Sequence, residues 1–434
     1  MNSDWIAAFE ALRSVYIDEA YSNIAINEAI SKHSDASAGF VRTFVKGVLR
    51  DSIRLDYYIS QLASNGLKGI KGRTKIVLRM GLYAIESLDS VPAYAACDEA
   101  VKLSKKVSKG TDRFVNAVLR NFVRRQDELT LADVSVSDVR GGSLSKAQVK
   151  AVSLAKSFDT DFVRMLNKQY GGEECLKMLD GFNTAPDLII RTNTLKNTRE
   201  ELIDALRTRG FEATPCEGSA LAVRVGGGSV TADEMFKEGY FSIQSLSSIL
   251  SIEAFNPAEG SRALDMCAAP GGKTAAMAEI MGNKGYIRSL DIHKHRCELI
   301  DATCARLGID IVETGLSDAT VYEEAFARDF DYVLCDVPCS GLGVISTKPE
   351  IKLKKRTDAA ELTEIQMAAL ENAYAYAKSG GRVMYSTCTV NKDENEGVVE
   401  HFMEKHPGAR IIENVTLMPY NNVIGFFYCI IIKE

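Results

Sequence analysis

The chain has 434 residues, 46% of them apolar and 25% charged, with a net charge of −6. That length suits two or three domains, and the composition excludes a largely disordered chain, a collagen or a small disulfide-stapled scaffold. No apolar run reaches the roughly 18 residues a membrane span needs, and Asp4 stands where a secretory leader carries cations. A cytoplasmic monomer without a membrane partner is expected. The charge is unevenly divided. Residues 1–130 carry 19 Lys and Arg against 15 Asp and Glu, whereas residues 256–434 carry 19 against 26. A polyanion would be drawn to the first part and not to the molecule as a whole.

Residues 1–130 read as helix throughout. Trp5, Phe9, Leu12 and Tyr16, then Val41, Phe44, Val45 and Val48, recur at helical spacing. Gly66, Gly69 and Gly72 punctuate the junction before Ile76, Met80 and Tyr83, and Pro92 opens a further helix. Cations gather beyond it: Lys102, Lys105, Lys106, Lys109, Arg113, Arg120, Arg124 and Arg125. They read either as a solvated helix face or as a phosphate-contacting surface.

Residues 131–255 read as a linker, helices and a small α+β module. The stretch 127–145 is acidic and Ser-rich, with little apolar periodicity, and 146–182 is helical. A βαββ order follows: strand Leu188–Thr192, helix Arg199–Arg209 ended by Gly210, and strands Phe211–Cys216 and Leu221–Val225. Residues 256–434 alternate strands with helical stretches. The predicted strands are Ala263–Met266, Tyr286–Leu290, Ile311–Thr314, Tyr332–Cys335, Arg382–Ser386 and Phe426–Ile432. Such alternation means βαβ units and a mainly parallel, doubly wound sheet.

The first of these strands runs into Cys267-Ala268-Ala269-Pro270-Gly271-Gly272-Lys273-Thr274. A phosphate-binding P-loop would need glycine where Cys267 stands, and the dinucleotide fingerprint G-x-G-x-x-G is not present. What remains is a strand, a Gly loop and a helix, whose backbone N–H groups can approach a ligand closely. Asp291 ends the next strand, 20 residues past Gly271, where a carboxylate reaches ribose hydroxyls. Asp318 follows the third strand and is placed to edge an adenine. Together they suggest a nucleoside cofactor without a triphosphate, and S-adenosylmethionine fits.

No pair among the ten cysteines is spaced C-x-x-C, so no zinc ribbon or thioredoxin-type pair is expected. Most read as small buried hydrophobes, Cys335 and Cys429 inside strands among them. Cys339 and Cys388 differ. They stand in Asp336-Val337-Pro338-Cys339 and Ser386-Thr387-Cys388, just past two strand ends, where doubly wound sheets put ligands. A thiol beside a sulfonium methyl donor suits cytosine: carbon 5 is a poor nucleophile until a thiolate adds at carbon 6. Asp336 can then favour protonation of the ring edge at N3, while a second thiol helps remove the carbon-5 proton.

Cys267–Lys273, Asp336–Cys339 and Ser386–Cys388 resemble the signature motifs of the RNA cytosine-5 methyltransferases. Phe44–Arg50 and Asn116–Arg120 resemble the helical RNA-binding domain of the NusB family. Pro186–Asn193 and Gly239–Gln244 look like the linker module of the RsmB-type methyltransferases of bacterial small-subunit ribosomal RNA. The resemblance implies an all-α N-terminal domain, the small α+β module and a Rossmann-like methyltransferase domain. It makes Cys388 the nucleophile and Cys339 the thiol that assists release. The Gly loop, Asp291, Asp318 and Asp336 become the contacts of S-adenosylmethionine, and ribosomal RNA the partner. The pattern is departed from in two places. Ser346-Thr347-Lys348 replace two arginines and a histidine, with Lys352, Lys354, Lys355 and Arg356 further on, and Ile424 replaces an aspartate before Gly425-Phe426-Phe427. Transfer RNA as substrate, and a non-catalytic RNA-binding assembly factor, stay open as alternatives.

Overall fold

A computed structural model describes residues 2–139, 141–354, 359–420 and 423–434; Lys355 and Arg356 lie outside the described residues. The chain forms two compact units, Met1–Asn183 with Ile345–Lys354, and Thr184–Val344 with Lys355–Glu434.

In the first unit, seven helices (Ser3–Ile17, Ser22–Lys32, Ala38–Arg50, Ser52–Leu62, Gly72–Ser87, Ala93–Val107, Asp112–Arg125) enclose one apolar core. Gly72–Ser87 runs through its middle, buried on every side from Ile76 to Ala84. Helix Asp112–Arg125 buries Val115, Val118, Leu119 and Phe122 at helical spacing and leaves Arg113, Arg120 and Arg124 exposed. Trp5 meets Phe44 edge to face with ring centroids 5.0 Å apart. Three further helices, Lys146–Ala155, Thr160–Tyr170 and Gly172–Asn183, pack into the same unit. Ser157 Oγ accepts from the backbone N–H groups of Ile53 and Arg54 at 3.1 and 3.2 Å. It thereby satisfies two donors that the start of helix Ser52–Leu62 would leave orphaned.

Ile345–Lys354 belongs to this helical unit although it lies late in the sequence. Leu353 packs against the core, and Glu350 accepts from the Ser22 backbone at 3.0 Å. Lys352 is no solvated cation. Its Nζ donates to Arg50 O, Ser157 O and Asn183 Oδ1 at 3.0, 3.2 and 2.8 Å and stands 3.5 Å from the centre of the Phe158 ring. Burial pushes its amine well below the usual lysine range, against the pull of Asp51.

The second unit opens with a four-stranded antiparallel sheet, order β2-β3-β1-β4, from β1 (Leu188–Thr192), β2 (Glu212–Pro215), β3 (Ala222–Gly226) and β4 (Phe241–Ile243). Helix Arg199–Thr208 covers it with Leu202 and Leu206, which pack on Ile190, Val223 and Phe241. β4, three residues long, escapes the predicted βαββ order. Seven strands follow: β5 (Arg262–Asp265), β6 (Tyr286–Asp291), β7 (Val312–Leu316), β8 (Phe330–Asp336), β9 (Ala377–Thr387), β10 (Ala409–Leu417) and β11 (Phe426–Lys433). Their order is β10-β11-β9-β8-β5-β6-β7. β5 to β9 run parallel, while β11 is antiparallel to both its neighbours. The fold is the Rossmann-like, mainly parallel sheet expected. β10 went unpredicted because, as a largely exposed edge strand, it lacks a run of buried residues. β5 lies between β6 and β8, so connections leave it in opposite directions and open a crevice beyond the carboxyl ends. Among the described residues no helix is long and apolar enough to cross a membrane.

Candidate active site

The turn after β5 is held tightly. Ala268 N–H donates to Leu290 O on β6 and Gly271 N–H to Ala268 O, both at 2.8 Å. Gly271 has φ +98°, and a Cβ there would come within 3.1 Å of Ile300 Cα. Only glycine meets both conditions. A Cβ on Gly272 would meet nothing nearer than Gln244 Nε2 at 3.9 Å, so backbone at the start of helix Gly272–Ile280 can lie against a ligand. This cradle fits an adenosyl group. Asp265, at the end of β5, is buried and accepts from Thr274 Oγ1 at 2.7 Å. Burial, with a further push from Asp336, raises its carboxyl to about 7. Cys267 is partly exposed, and burial raises its thiol far above the usual range.

The two further acids stand at the ends of adjacent strands, Asp291 being paired in register with Leu316. Asp291 is buried, accepts from His293 N–H at 3.0 Å and lies 3.3 Å from Arg296 Nη1. Arg296 also donates to Ala269 O at 3.0 Å and so links the acid to the Gly loop. Asp318 accepts from the backbone N–H and hydroxyl of Thr320 at 2.9 and 2.7 Å. These bonds hold its carboxyl below the usual range.

Asp336 and Ser386 are paired in register at the ends of β8 and β9, and the residues that follow them carry the thiols. The Cys339 and Cys388 sulfurs lie 3.1 Å apart, and they are not joined as a disulfide. Asp336 accepts from Lys273 Nζ at 2.6 Å and from Ser386 Oγ at 2.7 Å. Burial works against the Lys273 charge, but Asp336, Cys388 and Asp265 together outweigh it and the amine stays above its usual range. The Cys339 thiol is pushed well up by its hydrogen bond to Cys388, by burial and by the charges of Cys388 and Glu394. The pair can thus hold one sulfur as a thiol beside another that an ammonium favours as thiolate. Cys335 and Cys429, by contrast, are wholly buried inside β8 and β11.

The two cysteine turns touch through glycine. A Cβ on Gly343 would collide with Gly425 O, and Gly343 N–H donates to Cys388 O at 2.9 Å. Ile424 offers its carbonyl to Ser247 Oγ at 2.7 Å, a backbone role that any residue can fill.

Several contributors are not legible in the linear sequence. Arg191 on β1 is fully buried and pairs with both Glu279 oxygens at 2.8 Å. It also donates to Gly272 O at 2.8 Å, which ties the small sheet to the Gly-loop helix. Arg296, through Ala269, and Glu394, through Ser340 and Gln366, likewise meet partners distant in sequence. A buried charged residue in a strand-like run, Arg191 in Leu188–Thr192, was the one available signal.

Comparison with known proteins agrees with this architecture. Residues 252–426 match the model of the 16S rRNA methyltransferase RsmB/F family, residues 5–124 the NusB family, and residues 161–230 the ferredoxin-like domain of RsmF/B-like methyltransferases. The chain is 35% identical to the probable ribosomal RNA small subunit methyltransferase B of Bacillus subtilis (strain 168), over 92% of this chain and 88% of that one. It is 31% identical to the probable enzyme of the same name from Synechocystis, over 93% and 89%. The crystal structure of a methyltransferase homologue from Pyrococcus horikoshii superposes with a TM-score of 0.61 at 25% identity, covering 67% of this chain and 100% of that one. On this evidence the chain belongs to the ribosomal RNA small subunit methyltransferase B family.

Proposed function

We propose that the protein transfers a methyl group from S-adenosylmethionine to carbon 5 of a cytosine in small-subunit ribosomal RNA, in the cytoplasm, through a covalent adduct with Cys388. The observation that carries this reading is the pair of sulfurs 3.1 Å apart, beside the ion pair of Lys273 with Asp336, the last residue of β8. RNA binding alone has no use for two thiols there. The bound cofactor supplies a methyl group activated on a sulfonium.

Cys388 thiolate forms a bond to carbon 6, and the displaced electron pair makes carbon 5 nucleophilic. Lys273 favours the thiolate, and Asp336 steadies the ring edge as charge develops there. After methyl transfer, carbon 5 still carries its proton. Once Cys388 is a thioether, its charge and its hydrogen bond no longer hold the Cys339 proton in place. Cys339 can then ionise and take the carbon-5 proton. The electrons of that C–H bond restore the ring double bond and expel Cys388 as thiolate. The target base must be extruded or unpaired, because stacking hides carbon 6. The Gly loop with Asp291 and Asp318 would hold the cofactor, and residues 1–130 would bind RNA phosphates.

The test is transfer of tritiated methyl to ribosomal RNA and, in parallel, to transfer RNA, with the labelled nucleoside identified. 5-Methylcytidine in small-subunit RNA is the expected product. Label on adenine or on a ribose hydroxyl overturns the reading. A bisulfite map of RNA from cells with and without the protein locates the base.

A further inference from the structure

Glu394 lies outside every motif considered above, yet it is a carboxylate 1% exposed to solvent. Its Oε2 accepts from Ser340 N–H at 2.8 Å and Gln366 Nε2 at 3.1 Å. Its Oε1 accepts from Ser340 Oγ at 2.6 Å and Asn391 Nδ2 at 3.1 Å. Four donors converge on two oxygens, and the described residues form no ion pair with it. A buried carboxylate endures in such a place only when its hydrogen bonds replace water.

The donors identify what it holds. Ser340 follows Cys339, and Gln366 Nε2 also donates to Pro338 O at 3.0 Å, so the Cys339 turn is gripped on both sides. Ser340 Oγ lies 2.8 Å from Thr389 Oγ1, the residue after Cys388. Asn395, next to Glu394, accepts from Thr387 Oγ1 at 2.6 Å and donates to Thr389 O at 3.1 Å, gripping the Cys388 turn on both sides as well. Tyr385 OH donates to the Glu394 carbonyl at 2.6 Å and anchors the clasp to β9.

We propose that Glu394 is a positioning residue for methyl transfer: its carboxylate joins the Cys339 and Cys388 turns and sets the distance between the two sulfurs. This rests on the assignment of both thiols to the reaction. Glutamine has the right length but not the right chemistry, because its NH2 group would face donors in either orientation, Ser340 N–H and Gln366 Nε2 or Ser340 Oγ and Asn391 Nδ2. Release of the adduct suffers most, since Cys339 must reach a carbon-5 proton on a base bonded to Cys388.

The experiment compares the full-length parent with Glu394→Gln and Ser340→Ala. For Glu394→Gln, kcat falls about 100-fold, the scale of a misplacement near 1 Å. KM for RNA and the cofactor dissociation constant stay within about threefold, and a denaturant-resistant RNA adduct accumulates. Ser340→Ala, which removes one of the four donors, moves the same readouts less and serves if Glu394→Gln does not fold. A second readout needs no RNA. Diamide takes two electrons and two protons from the thiols, joining Cys339 to Cys388; this is fast in the parent and slowed by both substitutions. Parent-like kcat together with parent-like crosslinking overturns the proposal, as does a kcat loss matched by lost cofactor affinity. Should the parent fail to methylate cytosine, the thiol assignment fails, while the crosslinking rates still report whether Glu394 sets the sulfur distance.

Discussion

Lys273 Nζ stands 2.6 Å from Asp336 Oδ2, joining the first turn of the Gly-loop helix to the end of the strand that leads to Cys339. Cys388 also helps hold that amine above its usual range, so one cation serves the carboxylate and the sulfur proposed as nucleophile together. Lys273→Met leaves the Asp336 charge unpaired and removes the group that favours thiolate. Methyl transfer should fall by about 100- to 1000-fold, the scale of losing a preorganised electrostatic group. Single-turnover transfer with tritiated cofactor measures it. A rate within threefold of the parent would remove Lys273 from the reaction.

The two thiols should separate by adduct. Cys388→Ala abolishes methylation and any covalent RNA complex, because no sulfur is left to add at carbon 6. Cys339→Ala also stops turnover, but addition and transfer proceed and the protein stays joined to methylated RNA. A denaturing gel with labelled RNA distinguishes them. An adduct with Cys388→Ala and none with Cys339→Ala exchanges the roles.

Arg191 and Glu279 are both buried, and the pair also holds the Gly272 carbonyl. Arg191→Met leaves a carboxylate buried without its partner and should cost about 3–5 kcal/mol. Adding Glu279→Leu removes the stranded charge and should recover much of that loss. Urea unfolding of the parent and both variants checks this. If the single and double variants prove equally unstable, the ion pair is not the cause.

Asp265 gives a pH signature. Its carboxyl is raised from 3.8 to about 7 in the folded protein, chiefly by burial. Between those values the folded state keeps a proton that the unfolded state has lost. Stability from this group is therefore present below about pH 4 and falls as pH rises towards 7, by about 1.4 kcal/mol per unit. Asp265→Asn should lack that component, so the parent should lose stability relative to the variant from pH 4 to 7. Urea unfolding across that range measures it, and a constant difference rules it out.

Legibility divides by the range of the interaction. The helices of the first unit follow from apolar spacing, as with Val115, Val118, Leu119 and Phe122. β5, β6, β8 and β9 follow from short apolar runs. The Gly loop and both cysteine turns are contiguous, so their chemistry is readable wherever they fold. β10 and β4 were hidden, one as an exposed edge and the other by its brevity.

Residue types and local order alone therefore determine the strand–loop–helix cradle, two thiols past strand ends, and a helical module with more cations than acids. Only the tertiary structure decides how they meet. Register between β8 and β9 brings Asp336 level with Ser386 and sets Cys339 against Cys388 across 49 residues of chain. Ile345–Lys354 joins the helical unit, where Lys352 is half-buried and hydrogen-bonded to Arg50 O instead of solvated. Glu394, one charge among many in the sequence, becomes the acceptor of four donors. Hydrogen bonds and ion pairs between residues distant in sequence follow no local periodicity. They exist only once burial has removed water as the competing partner.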